Sequence, residues 1–144
     1  MAKNSRFKTQ GQRKCTSKGE EDLYRILDEL FPTALKHTEY PYSRFTNTDN
    51  NRLLCDIYIN SFSIAFEFQG EMHYKPVSWG KTEKDIFEAQ RAYEERQTLD
   101  KLKRQICAEV DIPLVEIPYF EWKELKNDAE KKDYVLEEIE VAKK

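Results

Sequence analysis

Between Arg52 and Phe68 the chain reads RLLCDIYI, NS, FSIAFEF. Two apolar runs rich in β-branched and aromatic residues, separated by a short polar pair, form the pattern of a β-hairpin. No other stretch restricts the fold as tightly. The runs predict strands at Arg52 to Ile59 and Phe62 to Phe68, with a two-residue turn at Asn60-Ser61. Acids interrupt both: Asp56 lies in the first strand, Glu67 near the end of the second, and Gln69 two residues beyond it. Residues two apart on a strand point to the same face. Side chains on one face of an antiparallel pair approach within ~5.5 Å at Cβ. The hairpin therefore aims Asp56, Glu67 and Gln69 at one end of a sheet.

Two carboxylates so close repel, and one takes up a proton unless a cation neutralises the pair. A hard, oxygen-seeking ion such as Mg2+, with Mn2+ as its substitute, meets that need and keeps water in its shell. Such an ion suits phosphodiester hydrolysis, because it polarises the phosphoryl oxygen and activates water. Gln69 would then orient water or phosphate without adding charge. His73, one of two histidines, follows Glu67 by six residues and supplies a proton acceptor whose ordinary pKa is ~6.5. The alternative is structural: Asp56 pairs with Arg52 or Arg44, Glu67 is an edge residue, and His73 belongs to a surface loop.

The remaining segments supply a frame for the hairpin. Leu23, Ile26, Leu27 and Leu30 repeat at helical spacing within Gly19 to Leu30, behind a Ser17 N-cap with Glu20 as its capping-box partner. Thr38 to Phe45, which contains Pro41, reads as an edge strand or extended stretch. Thr46 to Asn51 is a polar loop, and Gly70 to Thr82 is a long one without clear period. From Glu83 to about Val110 the pattern is helical, with Ile86, Ala89, Tyr93, Leu99, Leu102 and Ile106 on roughly one side. Pro113 to Ile117 reads as a strand, and Lys123 to Lys144 as a charged amphipathic helix. This order predicts a small α/β layer fold.

Length and charge narrow the partners. At 144 residues the chain is most simply a basic arm, 1–18, followed by a single domain, 19–144. The arm holds Lys3, Arg6, Lys8, Arg13, Lys14 and Lys18 and no acid, so residues 19–144 carry −9 of a net −3. A basic arm on an acidic body suits contact with nucleic acid, and Lys75, Lys81 and Lys84 follow the site closely enough to share phosphate contacts. Tyr74 and Trp79 either stack on bases or pack the loop. Cys15, Cys55 and Cys107 lack zinc-ligand spacing and are an odd number, which argues against structural zinc or a disulfide framework. No apolar run approaches the ~20 residues of a membrane span, so the expected setting is soluble, cytoplasmic and without a membrane partner.

The spacing D-x(10)-E-x-Q from Asp56 to Gln69 resembles the core signature of the PD-(D/E)xK nuclease superfamily, with Gln69 in the usual lysine position. The resemblance implies a restriction-endonuclease-like core, a mixed central sheet flanked by helices. It further implies a Mg2+-dependent DNA endonuclease that leaves a 5′-phosphate and a 3′-hydroxyl. Asp56 and Glu67 would hold metal. A preceding helix often contributes another acid in that superfamily, and Glu20, three and seven residues before Leu23 and Leu27, is preferred over Glu21 for this. His73 and "EFQGEMHY" are similar to the very short patch repair and EDxHD phage homing endonucleases, and "LDKLKRQICAEVDIPLVEIPY" resembles their helix-then-strand unit, which contains Asp100 and Lys103. Asp100 is either the last acid of that motif or an i,i+4 partner of Arg104. A second likeness, to phage junction-resolving endonucleases, rests on length, the basic arm and Ser17-x-x-Glu20. It implies a homodimer acting on branched DNA. These resemblances place the protein in a bacterial cell or phage-infected host; the competing reading is a nuclease-fold module that binds nucleic acid or protein without cutting.

Overall fold

The computed structural model describes residues 17–46 and 53–144. Helix α1 (Lys18–Leu30) begins where the Ser17 side chain accepts the Glu20 amide at 3.0 Å. It ends at Phe31, which the ring of Pro32 pushes out of the helical region. Strand β1 (Lys36–Pro41) and a single helical turn, α2 (Ser43–Thr46), lead to the hairpin strands β2 (Leu54–Ile59) and β3 (Ile64–Gln69). A one-turn 3-10 helix at Glu71–His73 precedes the long α3 (Glu83–Glu109), whose start is fixed by a reciprocal capping box between Thr82 and Asp85. Strand β4 (Leu114–Pro118), a short α4 (Tyr119–Trp122) and α5 (Asp128–Ala142) complete the chain.

The four strands form one mixed sheet in the order β1-β2-β3-β4. β1 with β2 and β2 with β3 are antiparallel; β3 with β4 is parallel. A parallel neighbour needs a crossover, and α3 supplies it. One face packs Ile57, Ile59, Ile64, Phe66, Val115 and Ile117 against Leu23, Ile26 and Leu27 of α1 and Val135 and Ile139 of α5. On the other, Tyr58 and Ala65 meet Tyr42, Cys107, Leu102 and Ile106. The architecture is α/β, a mixed sheet flanked by helices. Among the described residues no helix is long and apolar enough to cross a membrane.

The rotation of α1 is set by an ion-pair network on its outer side. Asp22 accepts from Arg25, Lys131 and the Trp122 indole, and Arg25 also grips Asp128 at the start of α5. These bonds hold the Asp22 carboxyl below its ordinary pKa against the effect of burial. Glu20 lies about 200° around the helix from Asp22, so the clamp that faces α5 turns Glu20 the other way.

Several boundaries differ from the sequence expectation. The hairpin turn is four residues, Asn60 to Ser63, with Ser63 in the left-handed region at φ 56°, and Ile59 pairs with Ile64. A two-residue turn at Asn60-Ser61 would have set Asp56 opposite Ala65. The longer one moves it opposite Glu67. The extended stretch lies earlier than expected, and α2 takes up Ser43 to Thr46. The C-terminal helix starts at Asp128 rather than Lys123, capped by Asn127. The apolar side expected of α3 holds in part: Ala89 is buried and Leu102 and Ile106 pack on the core, but Ile86 and Leu99 are exposed and the charged Asp100 and Lys103 are buried on the inner face beside Cys107.

Candidate active site

The β2–β3 ladder stops at Ile57↔Phe66. One step farther, where Asp56 faces Glu67, the Phe68 amide donates to Asp56 Oδ2 at 2.8 Å. The carboxylate thus stands where a ladder carbonyl would otherwise accept. Beside it opens a cavity of about 270 Å³ whose lining includes Glu20, Asp56, Glu67, His73, Arg96 and Lys103. Four separate segments of sequence meet there: the start of α1, the hairpin, the 3-10 turn and α3.

Close approach of α1 to the sheet depends on Gly19. A Cβ at that position would lie 2.2 Å from Cζ of Phe68, so only glycine lets the helix start settle on β3. Glu20 consequently lines the cavity, whereas Glu21 is exposed.

Glu67 is 3% exposed and engaged at both oxygens. Tyr42 donates its hydroxyl to Oε2 at 2.7 Å, and Lys103 donates to Oε1 at 3.1 Å. Burial raises the Glu67 carboxyl to about 8, with Asp56 adding to the rise and Lys103 and Tyr42 opposing it. Burial also raises Asp56, with the Phe68 amide and the Lys103 charge offsetting part of the effect. Lys103 is pulled down by burial but held above an ordinary lysine by Glu67 and Asp56. These directions agree if the cluster keeps the lysine proton and the two carboxyls share roughly one more near neutrality.

His73 and Asp100 form a second pair, Nδ1 to Oδ2 at 2.7 Å, with Asp100 5% exposed. Asp100 therefore faces the histidine, and Arg104 turns instead to Glu116. With Nδ1 engaged, Nε2 is the nitrogen left to exchange a proton on a ring that lines the cavity.

Gln69 requires a correction. It does not line the cavity; its Nε2 donates to Glu116 at 3.0 Å and its Oε1 accepts from Tyr74 at 2.7 Å. A step of two residues along β3 carries it about 7 Å from Glu67, into the Glu116–Arg104 pair beside β4. These two bonds tie the end of β3 to β4 and to the segment that follows it. Lys18, Lys75, Lys81 and Lys84 are exposed, with Lys75 paired to Glu71 at 2.9 Å; Lys14 lies outside the described residues. Tyr74 packs on Tyr119 and Phe120, while Trp79 is 93% exposed. Arg44 sits over the Tyr40 ring; Arg52 lies outside the described residues.

The residues that could hold a hard cation such as Mg2+ are the two carboxylates at the cavity. That ion is commonly held by one or two carboxylates plus water and substrate oxygens rather than by an all-protein cage. Asp56 and Glu67 are the carboxylates that could hold such an ion, with the Lys103 ammonium already lying against Glu67. Among the described residues no group of three or more His, Cys, Asp or Glu side chains is placed to hold a metal ion. Sequence reasoning had no role for Tyr42 or Arg96 and assigned none to Lys103. The signal for α3 was present: Arg96, Asp100, Lys103 and Cys107 recur at i, i+4, i+7 and i+11, a helical stripe whose members are mostly polar.

No family model and no solved structure matches the chain. It is 28% identical over 110 residues to the uncharacterized protein 033L of Invertebrate iridescent virus 3, covering 76% of this chain and 53% of that one. This chain thus spans about half the length of the curated relative it matches.

Proposed function

We propose that the protein is a Mg2+-dependent DNA endonuclease with a restriction-endonuclease-like core of the PD-(D/E)xK type. The observation that carries this reading is the meeting of a paired carboxylate site, Asp56 with Glu67, and a carboxylate-oriented imidazole, His73 with Asp100, in one cavity. Hydrolysis of a phosphodiester needs a cation for developing charge, an activated water and a group that moves a proton. A bound Mg2+ would supply the first and lower the pKa of water. Asp56 and Glu67 would hold it, with Glu20 at the cavity wall reaching it through water. Asp100 fixes the His73 ring so that Nε2 can take a proton from water or give one to the leaving oxygen. Arg96 adds a positive charge at the same wall for a phosphate.

The substrate in this reading is duplex or branched DNA, met by the exposed lysines and the basic arm. The test is cleavage of supercoiled plasmid and of a four-way junction with Mg2+, Mn2+ or chelator, using wild type beside Asp56→Ala. Metal-dependent cutting that Asp56→Ala abolishes while DNA binding persists supports the proposal, and preference for the junction selects a resolving enzyme acting as a dimer. A second reading, a nuclease-fold module that binds without cutting, is favoured by the capping of both Glu67 oxygens and the commitment of Gln69 elsewhere. It predicts salt-sensitive DNA binding with no cleavage under any metal.

A further inference from the structure

Both oxygens of Glu67 are taken by the protein itself, but the two partners differ in position. Lys103 lines the cavity and Tyr42 does not, so Oε1, the lysine's oxygen, is the one on the cavity side. Asp56 likewise uses one oxygen on the Phe68 amide. A divalent ion held by both carboxylates from the cavity would compete with Lys103 for Glu67. An ammonium and a divalent cation cannot both sit there without strong repulsion. The charges balance on exchange: the Lys103 ammonium meets one carboxylate charge of the pair, and a divalent ion would meet both, any proton held between the carboxyls being released to solvent.

We infer that the Lys103 ammonium is a built-in surrogate for the divalent ion, and that metal binding proceeds by displacing Lys103 from Glu67 while Tyr42 keeps the carboxylate in place. This rests on the reading of Asp56 and Glu67 as the metal site. The surrogate keeps the buried pair neutralised when Mg2+ is scarce, and Tyr42 ensures that Glu67 does not swing away when the lysine leaves. Because the side chain of Lys103 is only 8% exposed while paired, its release is measurable on the wild-type protein.

The experiment is acetylation of the full chain by a soluble succinimide ester, read lysine by lysine by mass spectrometry, with and without Mg2+ at concentrations shown by calorimetry to saturate. Exchange predicts that Lys103 acetylates severalfold faster with Mg2+ while the exposed Lys81 and Lys84 do not change. Alongside, Lys103→Met should bind Mg2+ about tenfold more tightly than wild type, the factor that surrender of one charge-assisted hydrogen bond is worth. Calorimetric Mg2+ binding by wild type with an unchanged or slower Lys103 reaction would overturn the exchange but spare the metal site. Weaker binding by Lys103→Met would also overturn it, making the lysine a supporter of the ion. Absence of Mg2+ binding by either protein would overturn both the exchange and the metal-site reading.

Discussion

The carboxyl of Glu67 makes the metal-free protein's stability fall as pH rises through neutrality. In the fold it titrates at about 8, against 4.5 ordinarily, chiefly because it is buried and next because Asp56 lies beside it. The sign is the reverse of a salt-bridged acid. Between pH 4.5 and 8 the folded protein holds a proton that the unfolded chain has released, so rising pH favours unfolding by up to ~1.4 kcal/mol per unit. From pH 5 to pH 7 the loss is about 2–3 kcal/mol, and it is complete above pH 8. Glu67→Gln keeps the shape and an acceptor for Tyr42 and removes the titration. Asp56, also raised, pulls in the same direction but remains in both proteins. Asp22, held low, acts only in acid, where its contribution is lost as pH falls through its depressed pKa. Urea unfolding at intervals from pH 5 to 8 in chelator should therefore show wild type losing about 2–3 kcal/mol more than Glu67→Gln between pH 5 and 7. Parallel curves, or a wild type that gains on the variant, would refute the burial argument.

Three other perturbations have definite outcomes. Gly19→Ala puts a methyl group into the Phe68 ring and should lower unfolding free energy by about 1–3 kcal/mol, checked by urea titration, while weakening Mg2+ binding as Glu20 is moved off the wall. Asp100→Asn removes the charge that holds His73; cleavage should fall by roughly 10- to 150-fold with DNA affinity unchanged, measured by single-turnover kinetics. Phe66→Ala, at a fully buried position between α1 and the sheet, should lower unfolding free energy by about 3–5 kcal/mol and leave the pH slope attributed to Glu67 in place.

The hairpin was legible because its strands announce themselves locally, through β-branched and aromatic runs that need no distant partner to be recognised. Its register was not: the difference between a two- and a four-residue turn lies in Ser63 adopting a left-handed conformation, which Asn60-Ser61 does not signal. The first helix was placed correctly because its cap and apolar spacing are both local. The inner face of α3 was legible only in part: Ala89, Leu102 and Ile106 turn inward as their spacing indicates, whereas the charged residues beside them were not expected there. Asp100 and Lys103 complete that face, and their burial is offset by His73 and Glu67 from other segments, which apolar spacing cannot signal. Gln69 illustrates a related limit. Sharing a face with Glu67 does not mean sharing a cavity, because the parallel strand β4, brought in by a long crossover, captured its amide through Glu116.

Whether Asp56 and Glu67 together hold a divalent ion is decided by anomalous diffraction from crystals soaked in Mn2+. A manganese peak should appear at coordination distance, ~2–2.3 Å, from a carboxylate oxygen of each residue, with Lys103 withdrawn from Glu67. No peak at the carboxylate pair in soaks where manganese is detected elsewhere, with Lys103 still bonded to Glu67, would contradict it.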